Sequence, residues 1–207
     1  MEKVLRSDAR RNLELILQAA AEAFAEQGLE VGVADIAKRA GVGTATIFRR
    51  FPSKDDLIAA VVLARMEDIV RAAEECAELP GGIDAVRRFF AIATEFQVRD
   101  RGLMESIDKR RFADDPRFEE QRDRVFAAIE ALVRRAQEAG ELRADVSPAD
   151  IPVLLHGVCS GAMLASGGQP ELWRRYMDLV VDGLRPQSTS QLSCPAPTFA
   201  DLASVKQ

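Results

Sequence analysis

Gly41-Val42-Gly43-Thr44-Ala45-Thr46-Ile47-Phe48-Arg49-Arg50-Phe51, followed at once by Pro52-Ser53-Lys54, is the stretch that decides how this chain reads. Just ahead of it, the segment from Val33 to Ala40 carries apolar residues at Val33, Ile36, Ala37 and Ala40, the spacing of one buried helical face. The glycine-bounded turn Gly41-Val42-Gly43 predicts a tight joint between that helix and a second one ending in Arg49-Arg50. Two short helices meeting across such a turn form the geometry that lays a second helix in the major groove of DNA.

Working outward, the helical pattern continues on both sides. Leu13, Ile16, Leu17, Ala20 and Phe24 recur at helical spacing and Gly28 stops them, predicting a first helix that packs behind the pair. Ser53 is placed to cap a following helix through its hydroxyl, and Asp55 and Asp56 in the first turn complement the helix dipole. That helix is expected to run to about Glu78. Further helices are predicted over Ile83–Arg99, Gly102–Phe112, Pro116–Ala139, Pro148–Ala165 and Pro170–Gly183, punctuated by Pro, Gly, Asp or Ser. No period-two strand and no internal repeat interrupts them, so the expected fold class is all-α. Three parts are expected: a three-helix helix-turn-helix domain over residues 8–54, a helical domain over 55–185, and a disordered tail over 186–207, where the sequence turns polar and proline-bearing.

Composition permits this reading without producing it. The chain has 207 residues with 47% hydrophobic content, enough for a substantial core. It has no apolar run long enough to span a membrane and no charged leader with a cleavage site, so no membrane association and a cytoplasmic location are expected. Cys76, Cys159 and Cys194 are odd in number and widely spaced, which suggests neither a disulfide framework nor a metal site. The net charge of −5 argues against a nucleic-acid partner only until it is divided. Residues 1–54 hold 9 Lys/Arg against 7 Asp/Glu and the remainder 19 against 26, so a basic segment precedes an acidic body.

With these residues in view, the chain resembles a TetR-family transcriptional regulator over residues of about 8 to 184. The family pattern of an "Ile-Ala" helix, a "Gly-Val-Ser" turn, a "Thr-Leu-Tyr-x-His-Phe" reading helix and a following Lys corresponds to Ile36-Ala37, Gly41-Val42-Gly43, Thr46-Ile47-Phe48-Arg49-Arg50-Phe51 and Lys54. The segment from Trp173 to Pro186 is similar to the last helix of many members. The resemblance implies that Thr44, Ala45, Thr46, Phe48, Arg49, Arg50 and Lys54 face DNA. The first three stand where family members reach base edges, by a hydroxyl bond or a methyl contact with thymine. Arg49 and Arg50 are expected to meet guanine or phosphate, and Lys54 phosphate, aided by the backbone N–H groups of its helix start. Val42, Ile47 and Phe51 are expected to be core. Four departures stand out: Phe48 replaces the usual tyrosine, Arg50 a common histidine, Gly32 a capping Thr or Ser, and Gly43 the turn serine. Each lost hydroxyl removes a neutral phosphate donor, so affinity is expected to lean on arginine and to depend steeply on salt.

For the body, the resemblance implies dimerisation and ligand sensing. A helix-turn-helix reader of paired half-sites needs a two-fold partner, so a homodimer on a double-stranded DNA operator is expected. Gly157, Gly161 and Ala165 recur every four residues, and with Leu155, Val158, Leu172, Tyr176, Leu179 and Val180 they suggest that the last two helices form the dimer interface. Helix packing within one chain would use the same spacing. Met66, Phe89, Phe90, Phe96, Met104, Ile107, Phe126 and Met163 are the candidates for contact with a small apolar effector, although such residues serve as core more often than as ligand wall. No cofactor is implied. The run His156-Gly157-Val158-Cys159-Ser160-Gly161 imitates a cysteine nucleophile elbow, but it falls inside a predicted helix, where the elbow needs a strand-turn-helix. One histidine and scattered cysteines offer no metal ligand set. The expected function is therefore non-enzymatic: a ligand-responsive repressor released from a (pseudo)palindromic operator. The alternatives are an activator on the same scaffold and a helical ligand-binding protein that has lost DNA binding.

Overall fold

The computed structural model describes residues 2–99, 112, 115–165, 171–187 and 190–203, and every regular element among them is an α-helix. In chain order these are α1 (Glu2–Gln27), α2 (Val33–Ala40), α3 (Thr44–Arg50), α4 (Lys54–Ala77), α5 (Gly82–Arg99), α6 (Pro116–Glu138), α7 (Asp150–Ala165), α8 (Leu172–Gly183) and α9 (Phe199–Ala203). The helix expected over Gly102–Phe112 lies outside the described residues apart from Phe112 itself. Packing divides the chain into two compact units, Met1–Met66 with Arg99–Glu119, and Glu67–Val98 with Glu120–Gln207.

In the first unit the small and apolar positions of α1 do the work that their spacing predicts. Ile16, Ala20 and Phe24 are buried, Leu13 and Leu17 pack at the edge, and α1 lies on α2, which lies on α3. Ile36, Ala37, Ile47 and Phe51 complete the core from the reading pair, and Leu57, Ile58, Val61 and Val62 from the first turns of α4. Sequence reading ends this domain at residue 54; by packing it takes in the start of α4 to Met66, because four α4 side chains fill its interior. Phe118 also packs there, its ring stacked on Phe112 at 4.6 Å.

The second unit is built around α5. Ile83, Val86, Phe89, Phe90 and Ala93 form one wholly buried face, met by Ile129, Leu132, Val133 and Ala136 of α6. Ile151, Leu155 and Val158 of α7 and Trp173, Met177 and Val181 of α8 close the same cluster. Gly82 lets α5 start hard against α6: a Cβ added there would stand 2.5 Å from the Ala136 Cα. Side chains distant in sequence satisfy backbone groups around the start of α5. The Ile83 N–H donates to Glu141 Oε2 at 2.9 Å, and Arg135 Nη2 donates to the Leu79 carbonyl at 3.0 Å.

In the C-terminal segment, for which composition leads to the expectation of a disordered tail, several residues contact the second unit. Arg143 Nη2 donates to the Ser190 carbonyl at 2.8 Å, and Ser147 Oγ donates to the Pro197 carbonyl at 2.8 Å. Thr198 and Asp201 cap the short α9, with the Thr198 N–H donating to Asp201 Oδ2 at 2.7 Å. The Phe199 ring then stacks on Phe126 of α6 at 3.9 Å, so one aromatic anchor and a few polar contacts hold a segment that average composition marks as loose.

Candidate nucleic-acid interface

The turn between α2 and α3 owes its shape to Gly41. Its φ of 67° and ψ of 29° are left-handed, a conformation that a side chain would strain. The Gly41 N–H donates to the Lys38 carbonyl at 3.2 Å and the Val42 N–H to the Ala37 carbonyl at 3.0 Å, a paired pattern that ends α2 and reverses the chain. Val42 then tucks against the core and Gly43 opens α3 with no side-chain cap. Gly32 likewise opens α2 without one, so both hydroxyls that the family pattern offers there are absent from the helix starts.

With Ile47 and Phe51 turned inward, helical periodicity sends the other face of α3 out. Ala45, Phe48, Arg49 and Arg50 are exposed, Phe48 to 47%, while Thr44 and Thr46 are half-buried. The first turn of α3 carries no acidic side chain and its last turn carries both arginines. The face therefore presents cationic and apolar groups together.

α4 is capped more fully than its sequence suggests. Asp56 Oδ2 accepts from the Ser53 N–H at 3.0 Å and from Ser53 Oγ at 2.6 Å, and Ser53 Oγ accepts from the Asp56 N–H at 3.1 Å. The Ser53 N–H is thus committed to a carboxylate, which narrows the backbone help expected for a phosphate beside Lys54. Lys54 itself is half-buried.

Two carboxylates on α1 hold the reading pair from behind. Arg39 of α2 donates to Glu26 Oε1 at 3.0 Å and Oε2 at 2.6 Å, with Glu22 3.8 Å away. The guanidinium hydrogen bond holds the Glu26 carboxyl below its ordinary range. Sequence reading missed this clamp, because its partners lie on different helices and nothing in their spacing pairs them. The Ser53 cap is expected from the sequence, but Asp56 is expected there only to complement the helix dipole, and its reciprocal bond to Ser53 had a signal in the three-residue spacing of cap and acid.

A family model described as bacterial regulatory proteins of the tetR family matches residues 16–61, the segment just built, and one described as the SbtR-like transcriptional regulator C-terminal domain matches residues 82–186. The chain belongs to the TetR family. Among solved structures, a TetR transcription regulatory protein from Mycobacterium vanbaalenii is 32% identical, with a TM-score of 0.68 over 87% of this chain and 99% of that one. The TetR transcriptional regulator SCO0520 from Streptomyces coelicolor is 29% identical, with a TM-score of 0.69 over 86% and 99%. FadR from Bacillus subtilis, solved with stearoyl-CoA, shares the fold at 17% identity, with a TM-score of 0.64 over 84% and 97%. TetR-family proteins are transcriptional regulators rather than enzymes, and they bind DNA operators.

In this TetR-family chain the proposed effector residues fall into different surroundings. Met66 packs on the core of the first unit. In the second unit Phe89 and Phe90 are fully buried, Phe96 is half-buried against the same cluster, and Phe126 lies under Phe199. Met104, Ile107 and the Met163 side chain are outside what the structure describes. Thr94 is the polar exception on α5: it is fully buried, and its hydroxyl meets no hydrogen-bond partner among the described residues.

The seam residues of α7 and α8 also separate. Leu155 and Val158 are buried in their own chain's core, because they share the inward face with Ile151. Gly157 and Gly161 lie on the opposite face, where an added Cβ would meet nothing within 4 Å among the described residues, so neither serves close packing with them. Val153, which sequence reading passed over, stands on that outer face at 48% exposure; it lies four residues before Gly157, which was the available signal. On α8, Tyr176 and Leu179 are exposed and Leu172 and Val180 are half-buried.

The imitation nucleophile elbow is helical throughout. His156 is exposed and its Nε2 lies 3.4 Å from Ser160 Oγ, one turn on along the same helix. Cys159 is buried, and burial pushes its thiol above the ordinary range, the reverse of what activates a nucleophile. Among the described residues no group of three His, Cys, Asp or Glu is gathered as a metal would need, and no helix is long and apolar enough to cross a membrane.

Proposed function

We propose that this protein is a ligand-responsive repressor that binds a (pseudo)palindromic operator as a homodimer and leaves it when a small apolar effector binds. The observation that carries the reading is the outward face of α3. Ala45, Phe48, Arg49 and Arg50 stand clear of a core anchored by Ile47 and Phe51, on a helix aimed by the Gly41 turn. Arg49, Arg50 and Lys54 supply the charge contacts, and Thr44, Ala45 and Thr46 the short side chains that approach base edges.

Two-fold pairing supplies two such faces about 34–36 Å apart, one helical turn of DNA. The outer strip Val153, Gly157, Gly161, Tyr176 and Leu179 supports a pairing surface there, since its glycines have room for another backbone and its large side chains are exposed. α4 gives the physical route for regulation, because one continuous helix contributes Leu57 and Ile58 to the first core and Val70 and Ala73 to the second. An effector that shifts the later turns of α4 changes the placement of the recognition helices, and reciprocity requires operator DNA to weaken effector binding equally.

The test is fluorescence anisotropy with duplexes enriched from a random pool, against scrambled duplexes, over a salt series. Wild type is expected to bind the enriched duplex in a sequence-dependent way, with log K falling by about 0.9 per neutralised phosphate for each unit of log salt. Arg49→Ala with Arg50→Ala is expected to weaken binding and flatten that slope. Equal, weak binding to enriched and scrambled duplexes by the wild-type protein overturns the reading.

A further inference from the structure

We infer that the C-terminal segment is a tethered competitor: its Phe199 ring fills a slot beside Phe126 of α6 that takes a planar, uncharged aromatic molecule when the segment swings away. The inference goes beyond the repressor reading. Slot and segment both lie in the second unit, and the test uses no operator DNA, so it succeeds or fails independently of that reading.

The slot is defined by its occupant. Phe199 stacks face to face on Phe126, with ring centroids 3.9 Å apart and planes 9° from parallel, and it also packs against the buried cluster of the second unit. One flat ring is therefore held between another ring and an apolar core, a set of contacts that any planar aromatic group would satisfy. The chain supplies that ring on a weak mount. Phe199 is the single aromatic residue after Tyr176. From Gln191 to Asp201 every residue is exposed except Pro197 and Phe199, which are half-buried, and Leu192 stands in solvent at 45% exposure. Arg143 and Ser147 tie the segment down through the Ser190 and Pro197 carbonyls. The Thr198–Asp201 cap is internal to the segment, so it shapes the anchor without fixing it to α6. Holding such a length of backbone in place costs conformational entropy that these few contacts barely offset, which leaves the docked and released forms close in free energy. A molecule that enters the slot only when Phe199 leaves shifts that balance. Release exposes the face of Phe126 and the edge of the core to water, and an apolar ring gains by covering them again. A charged ligand would have to leave its charge unpaired against the same apolar surface.

The probe is prodan, an uncharged naphthalene whose emission shifts and brightens on leaving water. It is titrated into the full-length wild type, Phe199→Ala, Phe199→Leu and the double variant Phe126→Ala with Phe199→Ala. Phe199→Ala is expected to bind prodan about two- to ten-fold more tightly than wild type, the factor that corresponds to removing one competing aromatic stack. Phe199→Leu should fall between them, and the double variant should lose the gain. A second readout needs no variant at the slot. Cys194 is exposed and lies in the segment, whereas Cys76 and Cys159 are buried, so a nitroxide label placed on Cys194 reports the motion of the tail. Saturating prodan is expected to narrow the electron paramagnetic resonance spectrum of the labelled wild type to that of labelled Phe199→Ala. Circular dichroism and Trp173 emission are expected to show all the proteins folded alike, because Phe199 belongs to a surface segment. The inference is overturned if Phe199→Ala binds prodan no more tightly than wild type, if the gain survives Phe126→Ala, if prodan binds wild type without narrowing the spectrum, or if none of the proteins binds it.

Discussion

Gly82→Ala adds one methyl group to a place where the structure has no room for it. Gly82 is buried at the first residue of α5, and the added Cβ would stand 2.5 Å from the Ala136 Cα, 3.0 Å from its Cβ and 3.4 Å from its carbonyl carbon. The nearest of these is backbone, so no rotamer change in α6 relieves the clash and one helix must move. Ile83, Val86, Phe89 and Phe90 would move with α5, and all four are buried against α6 and its neighbours. Overpacking costs about 1–3 kcal/mol, and a clash with backbone belongs to the upper part of that range, about 2–3 kcal/mol. The gain in helix propensity on replacing glycine offsets at most about 1 kcal/mol. A net loss of about 1–2 kcal/mol lowers Tm by about 2–8 °C for a chain of this size. Trp173 is the single tryptophan and is buried in the same cluster, so its fluorescence reports unfolding where the change is made. Melting curves are compared at fixed protein concentration, because self-association of the kind proposed would make Tm depend on it. Ala136→Gly in the same chain is expected not to rescue, since it removes the 3.0 Å contact and leaves the 2.5 Å one. A Gly82→Ala protein that melts at or above the wild-type temperature, or a rescue by Ala136→Gly, refutes the close approach on which the reasoning stands.

Three further outcomes are expected. Glu67 accepts from Gln121 and Arg124, and hydrogen bonds from Arg124 first and Gln121 next hold its carboxyl below the ordinary 4.5. A lowered folded-state pKa contributes stability that is present in full above the ordinary value and lost as pH falls through the lowered one. Glu67→Gln should therefore cost more at pH 7 than at pH 3, and a difference in Tm between the two proteins that stays constant from pH 7 to pH 3 would contradict this. Cys194 is exposed, whereas Cys76 and Cys159 are buried with thiols raised by desolvation, so a thiol reagent should label one cysteine quickly and two only on unfolding. Rapid labelling of a second thiol in the folded protein goes against the packing of α4 or α7. Truncation after Gln187 removes Phe199 from Phe126 and should lower stability by about 0.5–1.5 kcal/mol while raising the binding of a hydrophobic dye. Unchanged melting and dye binding would mean that the tail contributes nothing in solution.

Much of this was legible in the residues. Periodicity at Ile16, Ala20, Phe24, Ile36 and Ala37 named the core of the first unit, because a helix buries whatever recurs every three or four positions. Gly41 announced its own left-handed turn, and Ser53 its cap. The same local logic left the reading face of α3 as the residues between the buried ones. It did less well in the second unit, where α7 is apolar over much of its surface and periodicity does not say which side faces in. Leu155 and Val158 were thus grouped with Gly157 and Gly161 in one seam, although the first two point into their own core and the glycines away from it.

By itself, then, the sequence determined what short-range physics controls: the all-α class, the helix-turn-helix, its glycine turn, and the apolar and basic character of the reading helix. Tertiary structure alone decided the contacts between residues far apart in the chain. These are the Arg39 clamp to Glu26, the Glu141 carboxylate at the start of α5, the approach of Gly82 to Ala136, and the docking of Phe199 on Phe126. Backbone propensity and periodicity are set within a few residues. A cross-helix contact depends on how whole elements pack, and no spacing along the chain encodes that.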